Sequence, residues 1–358
     1  MKRKISLLIL SALFISLFTS CAKGLVIAAD VSGAEVTKGI YTYFYDYAAG
    51  NTAFSESYDE DVKNEAQRLV KQYVAVNSLA DKLDVSLSYQ LKSDCALETE
   101  NTWDFFSQHY EKIGVTKQDM HKIKENEGLK TALLDYFYGQ DSEEEPVSEK
   151  KLRKEFEKSY IGVKIIAASL SVTDSLGNTE ALEETEVSRI RNKFTSMKNS
   201  LNYGSDIERV YTDYNTGEDL IGTQYLETYI FTASSAQYGK DFFKTISALA
   251  YNKAEVIEYE DSIYLVYRVD ITPDEYGYFI TYESSILSSL KMDDLEEKIN
   301  AEAETYEIKE HASVVNGIIK SVLSVRTVKS EEETETENAD KEAEPESGSK
   351  EETQDDED

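Results

Sequence analysis

The sequence predicts an α+β protein: a helical lobe carrying an inserted small antiparallel sheet packed with helices, followed by an acidic tail. Three observations predict it. Apolar residues recur at steps of three and four through most of the first half of the chain. Long strand-like runs rich in β-branched residues appear only between Tyr160 and Thr272. Helical spacing then returns beyond Pro273, so the strand-rich stretch is flanked by helices on both sides.

The first twenty-one residues decide which solvent the rest folds in. Lys2, Arg3 and Lys4 are a positive start, Ile5 to Phe18 an apolar run, and Thr19-Ser20-Cys21 its close. About fourteen apolar residues are too few to cross a roughly 30 Å hydrocarbon core as a helix. This is the pattern of a secretory signal. The cut falls before a cysteine, which resembles the lipobox of bacterial lipoproteins, although Phe18 stands where that family usually has Leu. The resemblance implies that residues 1–20 are removed and that Cys21 is the lipid attachment. The chain would then sit outside the cytoplasm, on the outer face of the bacterial cell membrane. Each buried CH₂ contributes about 0.8 kcal/mol, so one acyl chain holds marginally and two or three hold firmly. An ordinary signal peptide with an incidental cysteine, or an uncleaved anchor, are the other readings of these residues.

With Cys21 acylated, Cys95 alone remains, and a single thiol makes no internal disulfide. Cys95 is expected as a small half-buried hydrophobe. The net charge is −31, and setting aside +3 in the signal and −12 in Lys329 to Asp358 leaves −22 for Cys21 to Val328. An acidic body argues against nucleic acid, whose binding needs a positive face. It also keeps the body off anionic headgroups, leaving the lipid as the membrane contact. Residues 331–358 hold almost no apolar side chains and are expected to be disordered.

Leu25 to Ala29 is a short apolar run suited to a strand; Val31-Ser32-Gly33 follows as a turn, with Thr37 as a helix N-cap. Ile40, Phe44 and Tyr47 recur at helical spacing, and Val62, Ala66, Leu69, Tyr73, Val76, Ala80 and Leu83 form one stripe of a longer helix. Further helices are expected over Ser86–Leu97, Thr102–Ile113, Lys117–Tyr138 and Ser148–Tyr160, with Pro146 as the break before the last. Val163–Val172 reads as a strand. Helices follow over Glu184–Leu201, around Ile207 to Tyr214 and around Asp241–Tyr251. Val256–Tyr259 and Ser262–Asp270 are strands about a turn at Glu260-Asp261, and helices resume over Tyr282–Thr305 and Glu310–Val325. The expected borders are 1–20 signal, 21–159 helical lobe, 160–272 inserted domain, 273–328 returning helices and 329–358 tail.

This order of elements resembles the secreted foldases of the PrsA/SurA class, chaperones with a parvulin-type peptidyl-prolyl isomerase domain. Four stretches carry the resemblance: Val31 to Lys38 before the first helix; Val147 to Lys164 leading into the first strand; Gly204 to Ile207 with Tyr214-Asn215; and Asp241-Phe242-Phe243 followed by Ser262 to Val266. The resemblance implies a chaperone-like lobe and a parvulin-like domain at 160–272. It implies unfolded or nascent secreted polypeptides as partners, held without nucleotide or other cofactor in a cleft between the lobe and the inserted domain. Active parvulins are similar to one another in placing a histidine on the first strand and another on the last. Here those positions fall at or beside Ala167 and Tyr264, and His109, His121 and His311 all lie outside 160–272. Isomerisation needs a pocket that desolvates and twists a bond with a barrier of about 18–20 kcal/mol. Phe242, Phe243, Ala167 and Tyr264 are the candidates for such a peptide-binding pocket, and plain core packing is the alternative for each.

Other chemistry finds little support. There is no phosphate-binding glycine loop, no metal-ligand spacing and no Gly-x-Ser-x-Gly elbow. His109 and His121 are expected at surface helix positions. The run Tyr41 to Tyr47 places aromatics around most of a helix, one face for the core and the other for a wet surface or a peptide cradle. A peptidyl-prolyl isomerase that works, and a cell-surface lipoprotein that binds a defined ligand on the same scaffold, remain as rivals to a chaperone.

Overall fold

The computed structural model describes residues 26–55, 57–173, 177–214, 226–233 and 241–326. The expected signal, Cys21 and the acidic tail lie outside the described residues. The chain divides into two compact units. One takes the residues up to Tyr136 and those from Asp293, and the other is Phe137–Met292.

The first unit opens on a hairpin. Strand β1 (Ile27–Val31) pairs antiparallel with β2 (Ala34–Thr37). Ser32 and Gly33 both take positive φ at the turn, where Gly33 N donates to Asp30 Oδ1 at 3.0 Å. The turn was legible in the sequence, but β2 was not. Helix α1 (Lys38–Asn51) starts at Thr37, whose Oγ1 accepts from Ile40 N at 3.5 Å. Its buried face is Tyr41, Tyr45 and Ala48 together with Ile40, while Tyr47 is exposed. Helix α2 (Tyr58–Lys82) buries Val62, Ala66, Val70 and Val74; Leu69 and Tyr73 stand one step round at the edge of the core.

Helix α3 (Tyr89–Ile113) is continuous, where the sequence suggested two helices. The polar stretch Glu98 to Asn101 reads as a gap between two apolar patterns. Within it Thr99 is buried on the inner face, with its hydroxyl donating to Cys95 O at 2.6 Å, so the stretch carries the helix's packed face without a break. Helix α4 (Lys117–Tyr138) follows a reciprocal cap: Asp119 N donates to Thr116 Oγ1, and Thr116 N donates to Asp119 Oδ2, both at 3.1 Å.

The second unit continues with α5 (Glu149–Ser159), which buries Leu152 and Phe156. Strand β3 (Ile161–Ser169) then runs into a short hairpin, β4 (Ser171–Thr173) with β5 (Thr179–Ala181). The single strand expected over Val163–Val172 is therefore broken at Leu170. Helices α6 (Glu184–Asn202) and α7 (Ile207–Tyr214) lead to β6 (Tyr229–Phe231), α8 (Phe242–Ala248), β7 (Ala254–Tyr259) and β8 (Ser262–Val269). The sheet has the order β6-β3-β8-β7, every neighbour antiparallel.

Alternation along the strands sends successive side chains to opposite faces. Ile166, Ala168, Ile263 and Leu265 meet Ile190, Phe194, Met197 and Leu201 of α6 on one face. Ile161, Val163, Ile165 and Val266 meet Phe231 and Phe242 and Ile246 of α8 on the other.

Helix α9 (Tyr278–Glu304) carries the chain back to the first unit. There β9 (Ile308–Glu310) pairs antiparallel with β1, placing Val31 opposite Ile308, and the order is β2-β1-β9. A last helix, α10, covers 312–326. Its Val315, Ile318 and Val322 are buried in one core with Tyr41, Tyr45, Val62 and Ala66. The helix expected from Glu310 thus begins two residues later, because Glu310 is needed in the sheet. The fold is α+β, with small antiparallel sheets and long helices.

Candidate functional site

The inserted sheet fixes the positions singled out in the second unit. Ala167 on β3 and Tyr264 on β8 are register partners. By alternation they share the sheet face of Val163, Ile165 and Val266, the face covered by α8. Phe242 is buried, its ring 5.1 Å from that of Phe231, and Phe243 and Tyr264 are half-buried against the same cluster. No histidine stands among them.

The first unit holds a cavity on the side of α1 that the sequence leaves open between a wet surface and a peptide cradle. It measures about 510 Å³, within the range of roughly 300–1,000 Å³ usual for small-ligand pockets. Tyr43, Phe44 and Tyr47 of α1 and Leu69, Tyr73 and Val76 of α2 give its apolar wall; Ile123 and Asn126 of α4 and Ile299 of α9 complete it. The aromatics are in register with one another: Phe44 lies 5.3 Å from Tyr43 and 5.7 Å from Tyr73, and Tyr43 lies 6.0 Å from Tyr110 on α3. The signals were present in the sequence, as the outer half of the Tyr41–Tyr47 run and the Leu69-Tyr73-Val76 stripe. The sequence leaves the outer half of that run open between a wet surface and a peptide cradle and gives the stripe to the core, because a helical stripe alone does not show where packing stops.

The cavity's charges neutralise each other. Glu65 pairs with Arg68 at 2.6 Å and Lys130 with Glu296 at 2.6 Å. The hydrogen bonds from Arg68 hold the Glu65 carboxyl below its ordinary range. Burial pushes the Tyr43 and Tyr73 phenols up, so both stay protonated at neutral pH. The lining therefore offers aromatic faces, amide groups and closed ion pairs, with neither nucleophile nor free base. Such a surface can bind without reacting.

The histidines are less exposed than expected. His109 Nε2 lies 2.8 Å from Asp46 Oδ2, and Arg326 Nε donates to Asp46 Oδ1 at 3.0 Å, so a buried carboxylate joins α1, α3 and α10. His121 sits 3.2 Å from Thr99 Oγ1. Cys95 is buried, and that burial pushes its thiol up, away from nucleophilic character. Among the described residues no group of three or more His, Cys, Asp or Glu side chains is placed to hold a metal ion, and no helix is long and apolar enough to cross a membrane.

No family model matches the sequence, and no curated protein matches it. Solved structures do. The chain is similar to the foldase protein PrsA from Streptococcus pneumoniae, at 13% identity over 85% of this chain and 94% of that one, with a TM-score of 0.34. It is similar to PrsA from Lactococcus lactis at 9% identity, over 83% and 99%, with a TM-score of 0.36. For PrsA from Bacillus subtilis the values are 16%, 84% and 91%, with a TM-score of 0.28.

Proposed function

We propose that the chain is a lipid-anchored extracytoplasmic chaperone that holds unfolded secreted polypeptides. The observation that carries this reading is the cavity of about 510 Å³ in the helical unit, walled by Tyr43, Phe44, Tyr47, Leu69 and Tyr73. An amphipathic aromatic wall accepts varied side chains, because each ring offers an apolar face and tyrosine adds a polar tip. The closed ion pairs at its edge impose no single ligand. An apolar side chain from an unfolded chain fits this description better than one defined metabolite.

The first twenty-one residues support the location. A short apolar run after three positive charges and before Cys21 is the chemistry of a processed, acylated export signal. Catalysis of prolyl isomerisation is the alternative, through Ala167, Tyr264, Phe242 and Phe243. Those side chains offer a hydrophobic, tyrosine-edged surface in place of the paired histidines that the family resemblance implies.

The test uses the chain from Ala22, which keeps every described residue. It suppresses aggregation of a chemically unfolded client at substoichiometric to equimolar ratio, without nucleotide. Tyr47→Ser with Leu69→Ser weakens that suppression several-fold at unchanged circular dichroism. A parent chain that leaves aggregation untouched, yet accelerates exchange of a prolyl peptide, refutes the chaperone and establishes the isomerase. The anchor has its own test: the full chain expressed in bacteria incorporates labelled fatty acid, and Cys21→Ser abolishes the label. Label persisting in that variant refutes attachment at Cys21.

A further inference from the structure

Helix α3 has an outer face that nothing in its own unit covers. Only Cys95, Thr99 and Ile113 of its twenty-five residues are buried, whereas α2, of the same length, buries seven. The uncovered face repeats at three and four: Asp94, Leu97, Glu98, Asn101, Asp104, Phe105, Gln108, Glu111 and Lys112 are all exposed. Within it Leu97 is 60% and Phe105 83% exposed, and beside it Phe106 is 56% exposed. The phenylalanines are ordered against neighbours, Phe105 lying 6.4 Å from Phe106 and Phe106 6.4 Å from Tyr110.

Several carboxylates of the unit are neutralised by a cation, and those of this face are not. Glu65, Glu100, Glu127, Glu296 and Glu310 are each within ion-pair distance of a lysine or arginine. Glu98, Asp104 and Glu111 meet no cationic side chain among the described residues. An exposed Phe-Leu strip bordered by unneutralised carboxylates is complementary to one kind of surface: apolar side chains bordered by ammonium or guanidinium groups.

We propose that the outer face of α3 docks a cationic, amphipathic polypeptide segment. Its apolar side chains cover Leu97 and Phe105, its lysines or arginines meet Glu98, Asp104 and Glu111, and a cation over the Phe105 or Phe106 ring adds to the attraction. The chain's own tail is excluded as occupant, because its net charge of −12 is repelled by this face. A two-fold dimer through the face sets the same carboxylates against their copies and is excluded for the same reason. The proposal does not rest on the chaperone reading, since it concerns a different surface from the cavity.

The experiment is a fluorescence-anisotropy titration of the chain from Ala22 with a labelled Lys/Leu peptide of helical spacing. Two controls replace every Lys by Glu or every Leu by Ser. The Lys/Leu peptide binds, and raising salt from about 0.05 to about 0.5 M weakens it. Leu97→Ser with Phe105→Ser weakens it at least about tenfold, as does Glu98→Gln with Asp104→Asn and Glu111→Gln. These residues are exposed, so unchanged thermal melts accompany the loss. Removing three charges elsewhere, by Asp141→Asn with Glu143→Gln and Glu144→Gln, leaves affinity unchanged and separates the local contact from the general acidity. Equal binding of the Glu/Leu peptide, or parent-like affinity in the α3 variants, overturns the proposal. So does binding lost through Tyr47→Ser with Leu69→Ser alone, which assigns the peptide to the cavity, or sedimentation showing a dimer that Phe105→Ser dissolves.

Discussion

Glu310 lies on the returning strand, and its carboxylate gathers three donors from the opening helices. Tyr41 Oη donates to Oε1 at 2.5 Å, Gln67 Nε2 donates to the same oxygen at 2.7 Å, and Lys63 Nζ lies 2.9 Å from Oε2. Burial pushes the carboxyl's pKa up, but the hydrogen bonds from Tyr41, Gln67 and Lys63 outweigh it and hold the group below its ordinary value. A carboxyl lowered in the folded state contributes stability that is full above its unfolded pKa, about 4.3, and is lost as pH falls through the folded value. Glu310→Gln therefore destabilises the protein by about 1–3 kcal/mol at pH 7, since charge-assisted bonds to buried donors are lost. The gap between parent and variant narrows as pH falls below about 5. Thermal melts at stepped pH check it, and a gap that widens on acidification rules it out.

At the scale of elements, what the sequence revealed depended on how much of an element's own side chains carry the signal. The long helices were legible because Val62 and Ala66 on α2, or Ile190, Phe194, Met197 and Leu201 on α6, report the buried face directly. Strands β3 and β8 were legible because both of their faces are covered, so apolar residues run nearly unbroken. Strand β9 was not, since Ile-Lys-Glu is an unremarkable tripeptide; its conformation comes from hydrogen bonding to β1, a partner some 280 residues away in sequence. Strand β6 failed for the same reason, its partner β3 being distant in sequence, whereas β2 is a short Ala-Glu-Val-Thr segment paired with the adjacent β1. The cavity was half legible. Its residues stood out as aromatic or striped, but distinguishing a cavity wall from a packed core needs the position of the opposing helix. The α3 face was hidden by the reverse error, because Glu98 to Asn101 looked like a break when it is the middle of a solvent-facing stripe.

At the scale of the whole molecule, the chain leaves one unit within α4 and re-enters it within α9, so the first unit is built from both ends of the sequence. Residues 305–326 then supply what the opening segment lacks. β9 gives β1 its second neighbour; Glu310 gives Tyr41 an acceptor; Val315, Ile318 and Val322 fill the core over Tyr45 and Val62; and Arg326 neutralises Asp46. Losing three buried aliphatic side chains costs about 2–5 kcal/mol each. That sum reaches the roughly 5–15 kcal/mol total stability of a typical domain. A chain ending at Glu304 is therefore expected to lose cooperative unfolding of the first unit and to bind an apolar dye, although all of α1 to α4 is present. A chain ending at Val328 sheds a tail of net charge −12 and keeps every contact named above, so its melting profile follows that of the full chain. Calorimetry on the two truncations decides the matter. A parent-like transition in the chain ending at Glu304 contradicts a lobe closed by the returning segment, whereas unfolding of the chain ending at Val328 transfers that closing role to the acidic tail.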